Sequence, residues 1–298
     1  MRIAITGSSG FIGHALVDDL RLGGHDVVRL LRAAGGSQDS VWSPHAVAPP
    51  DPRLEGLDAV VHLAGAGIAD RRWSASRRVV LRSSRVDATK HLAASLAQLD
   101  RPPKVLVQAS ATGWYGDRGD EWLSESAPRG CGFLSELCAE WEQASTLLDE
   151  CGTRRVQLRT GMVIGPQGGA LAKMLPIFRL GLGGRLGHGR QWMSWISRQD
   201  LLAVITTAIT NSALTGPVNA VSPNPVTNRA FTKALASACR RPAAFPAPKT
   251  MLRLALGEMA PALLLTSQRC RPDALIAVGQ LYKHANVESA LSASISCQ

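Results

Sequence analysis

The chain of 298 residues is 45% hydrophobic and 19% charged, a globular composition that excludes disorder, a collagen-like repeat and a small disulfide-stapled scaffold. Lys and Arg number 33 against 23 Asp and Glu, and the formal charge of +10 asks for an anionic partner: a phosphate, a nucleic acid or a membrane surface. The six cysteines (131, 138, 151, 239, 270 and 297) contain no C-x-x-C pair, which sets aside a zinc ribbon or redox dithiol and fits a reducing compartment.

In chain order, Arg2 to Ile5 is apolar and β-prone, Gly7 to Gly13 is glycine-rich, and Phe11 to Leu22 sets Ile12, Ala15, Leu16 and Leu20 at helical spacing. This start lacks the basic, apolar and small-residue order of a signal peptide, so a cytoplasmic protein is expected. Further strands are predicted at His25 to Leu31, Asp58 to Ala64, Lys104 to Ala109 and Val156 to Arg159, with helices from Ser74 to Leu99 and Phe133 to Glu150. Short apolar strands alternating with helices predict an α/β fold with a doubly wound parallel sheet of the Rossmann type. After Pro217 the pattern loosens, and Pro242 to Pro248 (PAAFPAP) reads as a linker. The expected division is a Rossmann domain over 1–240, including substrate-loop insertions, and a small helical domain over 241–298. Met251 to Thr266, broken by Arg253, Glu258 and Pro261, falls short of the ~20 apolar residues of a membrane span.

Between the first strand and helix, Thr6 to Gly13 reads T-G-x-x-G-x-x-G. Gly7 permits a tight turn, Gly10 lets the backbone approach a pyrophosphate, and Gly13 lets the helix pack closely on the strand while its N–H groups face the anion. At the end of the second strand, where Asp or Glu would bond the ribose hydroxyls of NAD, stands Arg32. A guanidinium there can clamp a 2′-phosphate, which favours NADP; the alternative is a solvated strand end. Arg29, two positions earlier, has no clear reading.

These residues, with DAVVHLAG (58–65), Gln108-Ala109-Ser110 and LRTGMVIGP (158–166), resemble the extended short-chain dehydrogenase/reductases, the sugar-epimerase-like group. RRW (71–73), SSR (83–85), GWYGDRGD (113–120), FRLGLGGRLGHGRQWMSWI (178–196) and LGEMAPALLLTSQR (256–269) resemble a subgroup with a small C-terminal domain of unknown function. The resemblance implies a cofactor held at its pyrophosphate by Gly7, Ser9, Gly10, Phe11, Ile12 and Gly13, and at the adenosine phosphate by Leu31 and Arg32. It implies that His62, Leu63 and Ala64 line the adenine and ribose side, that Arg78 and Ser84 project from the next helix, and that Ser110 and Met162 sit at the nicotinamide end. Of the six arginines between Arg71 and Arg85, one or two are expected to face the cofactor.

In the resembled enzymes a Tyr-x-x-x-Lys pair moves the proton, because a phenol with a pKa of about 10 must be shifted by an adjacent cation before it can act as a base. This chain has two tyrosines; Gly119 follows Tyr115 by four and Asn286 follows Tyr282 by four, and the helix that should carry the pair places Phe133 and Leu137 there. Candidate catalytic residues are therefore Ser110 and Tyr115, with Glu136, Glu140 and His188 as weaker ones. For Tyr115 the readings are catalytic, pocket wall or packing. His188 could equally bind an anion or cap its loop. The segment Gly181 to Trp195 is either a loop closing over a substrate or one packed by its tryptophans. Two functions stay open: an NADP-dependent oxidoreductase or epimerase-like enzyme on an unknown small molecule, and a silent NADP-binding protein serving as redox sensor or scaffold. No nucleic-acid or membrane partner is expected, no metal, and a homodimer is left open.

Overall fold

The computed structural model describes residues 1–33, 39–49, 51–166 and 168–296, so that Cys297 lies outside the described residues. In chain order the elements are β1 (Arg2–Thr6), α1 (Gly13–Leu22), β2 (Asp26–Leu31), β3 (Ser40–Val41), β4 (Ala59–His62), α2 (Ala75–Arg82), α3 (Ala88–Leu96), β5 (Val105–Ala111), β6 (Trp122–Leu123), α4 (Phe133–Gln143), α5 (Leu147–Glu150) and β7 (Arg154–Thr160). There follow β8 (Met162–Ile164), α6 (Gly169–Arg179), β9 (Trp192–Met193), β10 (Trp195–Ser197), α7 (Arg198–Thr210), β11 (Gly216–Ala220), β12 (Val226–Thr227), α8 (Asn228–Cys239), α9 (Lys249–Leu256), β13 (Arg269–Cys270), α10 (Asp273–Ala277) and α11 (Val287–Ser296).

Seven parallel strands form one sheet in the order β11-β7-β5-β4-β1-β2-β3, the doubly wound Rossmann-type arrangement the alternation predicts. Both faces are buried, and strand period 2 divides the side chains between them. Ile3, Ile5, Val61 and Val107 meet Leu16 and Leu20 of α1 and Val204 and Ile205 of α7, while Ala4, Val60 and Leu106 meet Leu92 and Leu96 of α3. Consecutive strands run outward in both directions from the β1/β4 boundary, which opens a crevice at their C-terminal ends.

The helix expected over 74–99 starts on Ser74, whose hydroxyl accepts the N–H of Arg77, and is interrupted by a π-helical turn over Ser83–Asp87. The loosened region after Pro217 contains more order than its composition suggests. Gly216 and Pro217 open β11, where a proline is tolerated because the strand is at the sheet edge. The PAAFPAP segment is tied to the glycine-rich loop: the N–H of Phe245 donates to Gly183 O (3.2 Å) and that of Ala247 to Arg185 O (2.9 Å). The C-terminal residues pack as well, since Val287, Ala290 and Leu291 of α11 join Trp195, Phe231 and Leu235 in one core cluster.

Candidate functional site

The glycine turn closes β1 onto β4. Gly7 has φ +68°, and a Cβ there would stand 2.8 Å from the Leu63 carbonyl carbon; one on Gly13 would stand 2.2 Å from Gly7 O. Both positions need glycine. The Thr6 hydroxyl accepts the N–H groups of Leu63 and Ala64 (3.2 Å each) and donates to His62 Nδ1 (2.7 Å). Because that hydroxyl hydrogen is committed to Nδ1, His62 carries its proton on Nε2, which donates to Thr89 Oγ1 at 2.9 Å. Trp141 Nε1 donates to the same oxygen at 3.1 Å.

His62 is thus a fully buried spacer rather than a wall of the adenine and ribose side, because the alternation of β4 turns its ring into the core. Leu63 and Ala64, just beyond the strand, remain half-buried at the crevice. Burial lowers the His62 pKa from 6.5 to about 4. As pH falls the unfolded chain takes up this proton first, so stability is full above about pH 6.5, declines between 6.5 and 4, and levels below that. The expected contribution is about 3 kcal/mol. It is checked by comparing urea midpoints at pH 7 and pH 4.5 for the native chain and a His62→Asn variant, whose pH-dependent loss should be smaller by that amount.

The start of α1 is chemically open. No side chain caps it, its first turn holds no acid, the Ser8 hydroxyl is buried without a partner, and Ser9 and Gly10 are exposed. Unsatisfied N–H groups at the positive end of a helix beside an orphaned hydroxyl suit an anionic ligand. Ile12 is half-buried, and the Phe11 ring turns aside to lie against Gly165, Gly168 and Gly169 with the Arg198 guanidinium above it (4.9 Å). At the end of β2, Asp39 takes Arg29 in two hydrogen bonds (2.8 and 2.7 Å), which explains that arginine as structural. Leu31 is half-buried and Arg32 stands exposed past the strand end.

Arg78 and Ser84 have protein partners. Arg78 pairs with Glu258 of the C-terminal segment and lies over the Phe133 ring (5.1 Å). Ser84 accepts the N–H of Ala66 and donates to Leu81 O, both at 3.2 Å, and so pins the loop after β4 to the π turn. Arg85 stood in the sequence only as one of six clustered arginines, with no role of its own. Its guanidinium lies over Trp141 (5.2 Å), donates to Leu81 O (3.2 Å) and Ala66 O (2.9 Å), and makes no ion pair among the described residues. The SSR motif was the available signal.

At the C-terminal end of β5 a buried network replaces the expected proton carriers. Ser110 Oγ donates to Glu142 Oε1 (2.6 Å), and Glu142 receives Nε and Nη2 of Arg159 at 2.9 Å each. Arg159 Nη1 donates to Tyr115 Oη (3.1 Å), its guanidinium lies 3.8 Å from the Trp114 ring centre, and the Tyr115 hydroxyl donates to Asn219 Oδ1 (2.7 Å). Tyr115 is fully buried, and burial pushes its phenol well above its ordinary value. Its position in the structure is that of a packing residue, which corrects the catalytic and pocket-wall readings: the turn after β5 directs the ring inward, beneath Trp114. Tyr115→Phe is expected to lower the unfolding free energy by about 1–2 kcal/mol, the cost of leaving Asn219 and Arg159 short of a partner, as read by denaturant titration.

The other candidates divide clearly. Ser110 is 5% exposed with its hydroxyl hydrogen held by Glu142. Phe133 is half-buried edge-on to Trp73 (5.3 Å between centroids) and Leu137 is buried, so neither position moves a proton. Glu136 is exposed, Glu140 pairs with Arg82 (2.9 Å), and His188 Nδ1 accepts the N–H of Arg190 (2.9 Å), so that it caps its own loop. Met162 is half-buried in β8, beside Trp195 of β10. The tryptophans of the glycine-rich segment are structural: Trp195 is buried with Nε1 on Asn224 O (2.9 Å), and Trp192 and Trp122 sandwich Arg269 at 4.0 and 3.9 Å. Among the described residues no His, Cys, Asp and Glu cluster could hold a metal, and no helix is long and apolar enough to cross a membrane.

The chain is similar to known proteins along its whole length. Residues 3–221 match the model of the NAD dependent epimerase/dehydratase family, and residues 247–294 match a domain of unknown function, DUF1731. The chain is 43% identical over 290 residues to an epimerase family protein of Mycobacterium bovis, covering 97% of this chain and 96% of that one. It is 35% identical over 302 residues to the epimerase family protein YfhF of Bacillus subtilis, covering 99% and 98%. The crystal structure of the human epimerase family protein SDR39U1 with NADPH superimposes with a TM-score of 0.93 at 32% identity over 100% of both chains.

Proposed function

The chain belongs to the NAD dependent epimerase/dehydratase family, and from that premise we propose that it binds NADP(H) and passes hydride to or from a small molecule without a Tyr-x-x-x-Lys pair. The carrying observation is the open start of α1 at the C-terminal end of β1, where no side chain caps the N–H groups and the Ser8 hydroxyl has no partner. Gly7 and Gly13 keep that turn tight, the backbone of Ser9 to Ile12 would take the pyrophosphate, and exposed Arg32 would take the 2′-phosphate. The NADPH of the human relative supports NADP over NAD. Bound there, the nicotinamide ring supplies hydride transfer. The protein's part is to hold the dinucleotide at the C-terminal ends of β1 and β4 and to exclude water with Phe133, Leu137 and Met162.

Those apolar residues favour a second reading, a silent NADP-binding protein, because neither Phe133 nor Leu137 carries a proton and Tyr115 is sealed in the core. Fluorescence titration of the purified chain tests the shared premise: NADPH is expected to bind, and failure to bind either dinucleotide overturns both readings. A carbonyl-substrate panel followed at the NADPH absorbance then separates them. Turnover that survives Tyr115→Phe is the result expected of the enzyme; no turnover on any member supports the silent binder.

A further inference from the structure

The positive charge of this protein is unevenly distributed. Residues 151–257 hold 14 Lys and Arg and a single acid, Asp200, while the rest of the chain holds 19 basic and 22 acidic residues. Asp200 is itself buried, its carboxylate taken by the Ser197 hydroxyl and the N–H groups of Lys283 and His284. Four of these cations converge. Arg185 of the glycine-rich loop, Arg229 and Lys233 one turn apart on α8, and Arg241 beyond its end line a cleft of about 510 Å³.

Among the described residues the walls of the cleft contain no carboxylate and no aromatic ring. Among the described residues none of the four cations makes an ion pair, whereas Arg29, Arg78, Arg82, Arg118, Arg155 and Arg159 all do. Arg229 and Lys233 are like charges at i and i+4, an unfavourable pair in an empty cleft and a favourable one around an anion. The frame is also set in advance. Gly189 (φ +71°) lets the stems of Arg185 and Arg229 close in, with atoms 3.3 and 3.4 Å from where its Cβ would be, and Arg185 Nη1 is anchored on His188 O at 3.0 Å. The opposite wall, Pro242 to Pro246, is held by the main-chain bonds of Phe245 and Ala247 to the same loop.

We propose that this cleft binds a compact polyanion with two or more phosphate groups. Its volume lies in the range of small-ligand sites, about 300–1,000 Å³. A single strand of nucleic acid would need stacking platforms, which the cleft lacks. None of its residues belongs to the glycine turn or to the ends of β1, β2 and β4, so the site is separate from that of the dinucleotide.

Calorimetric titration of the full chain with pyrophosphate and with orthophosphate at low ionic strength tests this. Pyrophosphate is expected to bind this cleft at least tenfold more tightly than orthophosphate. Arg229→Ala and Lys233→Ala are each expected to weaken it about tenfold, the size of one charge-assisted hydrogen bond. Both side chains are exposed, and circular dichroism verifies the fold of each variant. Ser9→Glu, which sets a carboxylate at the exposed start of α1 where the dinucleotide's pyrophosphate is proposed to lie, should leave binding in the cleft unchanged, which keeps the result independent of the proposed cofactor. Equal binding of the two anions, insensitivity to both α8 substitutions, loss of binding with Ser9→Glu, or binding of heparin without pyrophosphate would each overturn the proposal.

Discussion

Glu142→Ala is expected to lower the unfolding free energy by about 3–5 kcal/mol, because it strands a buried guanidinium. Arg159 is 3% exposed, and Glu142 supplies both of its carboxylate contacts. The substitution also removes the acceptor of Ser110, so three donors, Nε and Nη2 of Arg159 and the Ser110 hydroxyl, lose their partner at once. The remaining contacts of Arg159, the Tyr115 oxygen, Glu125 O and the face of Trp114, cannot neutralise a full charge. Replacing the pair together, Glu142→Leu with Arg159→Leu, should recover a large part of the loss, since apolar groups need no counter-ion there. Urea titration of the three chains reads both effects; a single variant losing under about 1 kcal/mol would show that the pair is not the anchor its burial implies.

The second large effect concerns cofactor choice. Arg32→Ala is expected to weaken NADPH binding by roughly 10- to 100-fold while leaving NADH within about twofold, the signature of one or two charge-assisted bonds to a 2′-phosphate. The arginine can serve this way because its neighbour does not compete: Arg29 is held by Asp39, and Arg32 is left exposed at the strand end. Parallel fluorescence titrations with both dinucleotides decide the point. Equal losses for NADPH and NADH would place Arg32 on the adenine face instead, and unchanged NADPH binding would remove it from the site.

What the sequence disclosed depended on how local each signal was. The glycine turn was legible because Gly7 and Gly13 answer to contacts a few residues away or across one strand pair. The inner strands were legible because burial on both faces leaves continuous apolar runs. β11 was not, since Gly216-Pro217-Val218-Asn219-Ala220 carries two residues that oppose strands elsewhere and are tolerated only at an edge. The Ser110–Glu142–Arg159–Tyr115–Asn219 network was out of reach for a related reason: its partners lie 17 to 104 residues apart, so no spacing rule joins them. Tyr115 looked functional by its nearness to Ser110 in sequence, and it is the fold that turns its ring away. His62 was misplaced by the same oversight, since strand alternation sends its ring inward while Leu63 and Ala64 stay at the crevice.

The packing of α11 bears on how the chain is made. The cluster that begins at Ile164 and includes Trp195, Phe231 and Leu235 is closed by Val287, Ala290 and Leu291, close to the final residues. During synthesis this second core stays open until α11 has left the ribosome, after the strands of the main sheet have emerged. More than a hundred residues separate Ile164, Leu171, Leu175 and Phe178 from that seal, an interval of several seconds at about 5–20 residues per second. A nascent chain therefore exposes an apolar face over that interval. Removing α11 should therefore cost the sheet less than it costs the solubility of the chain.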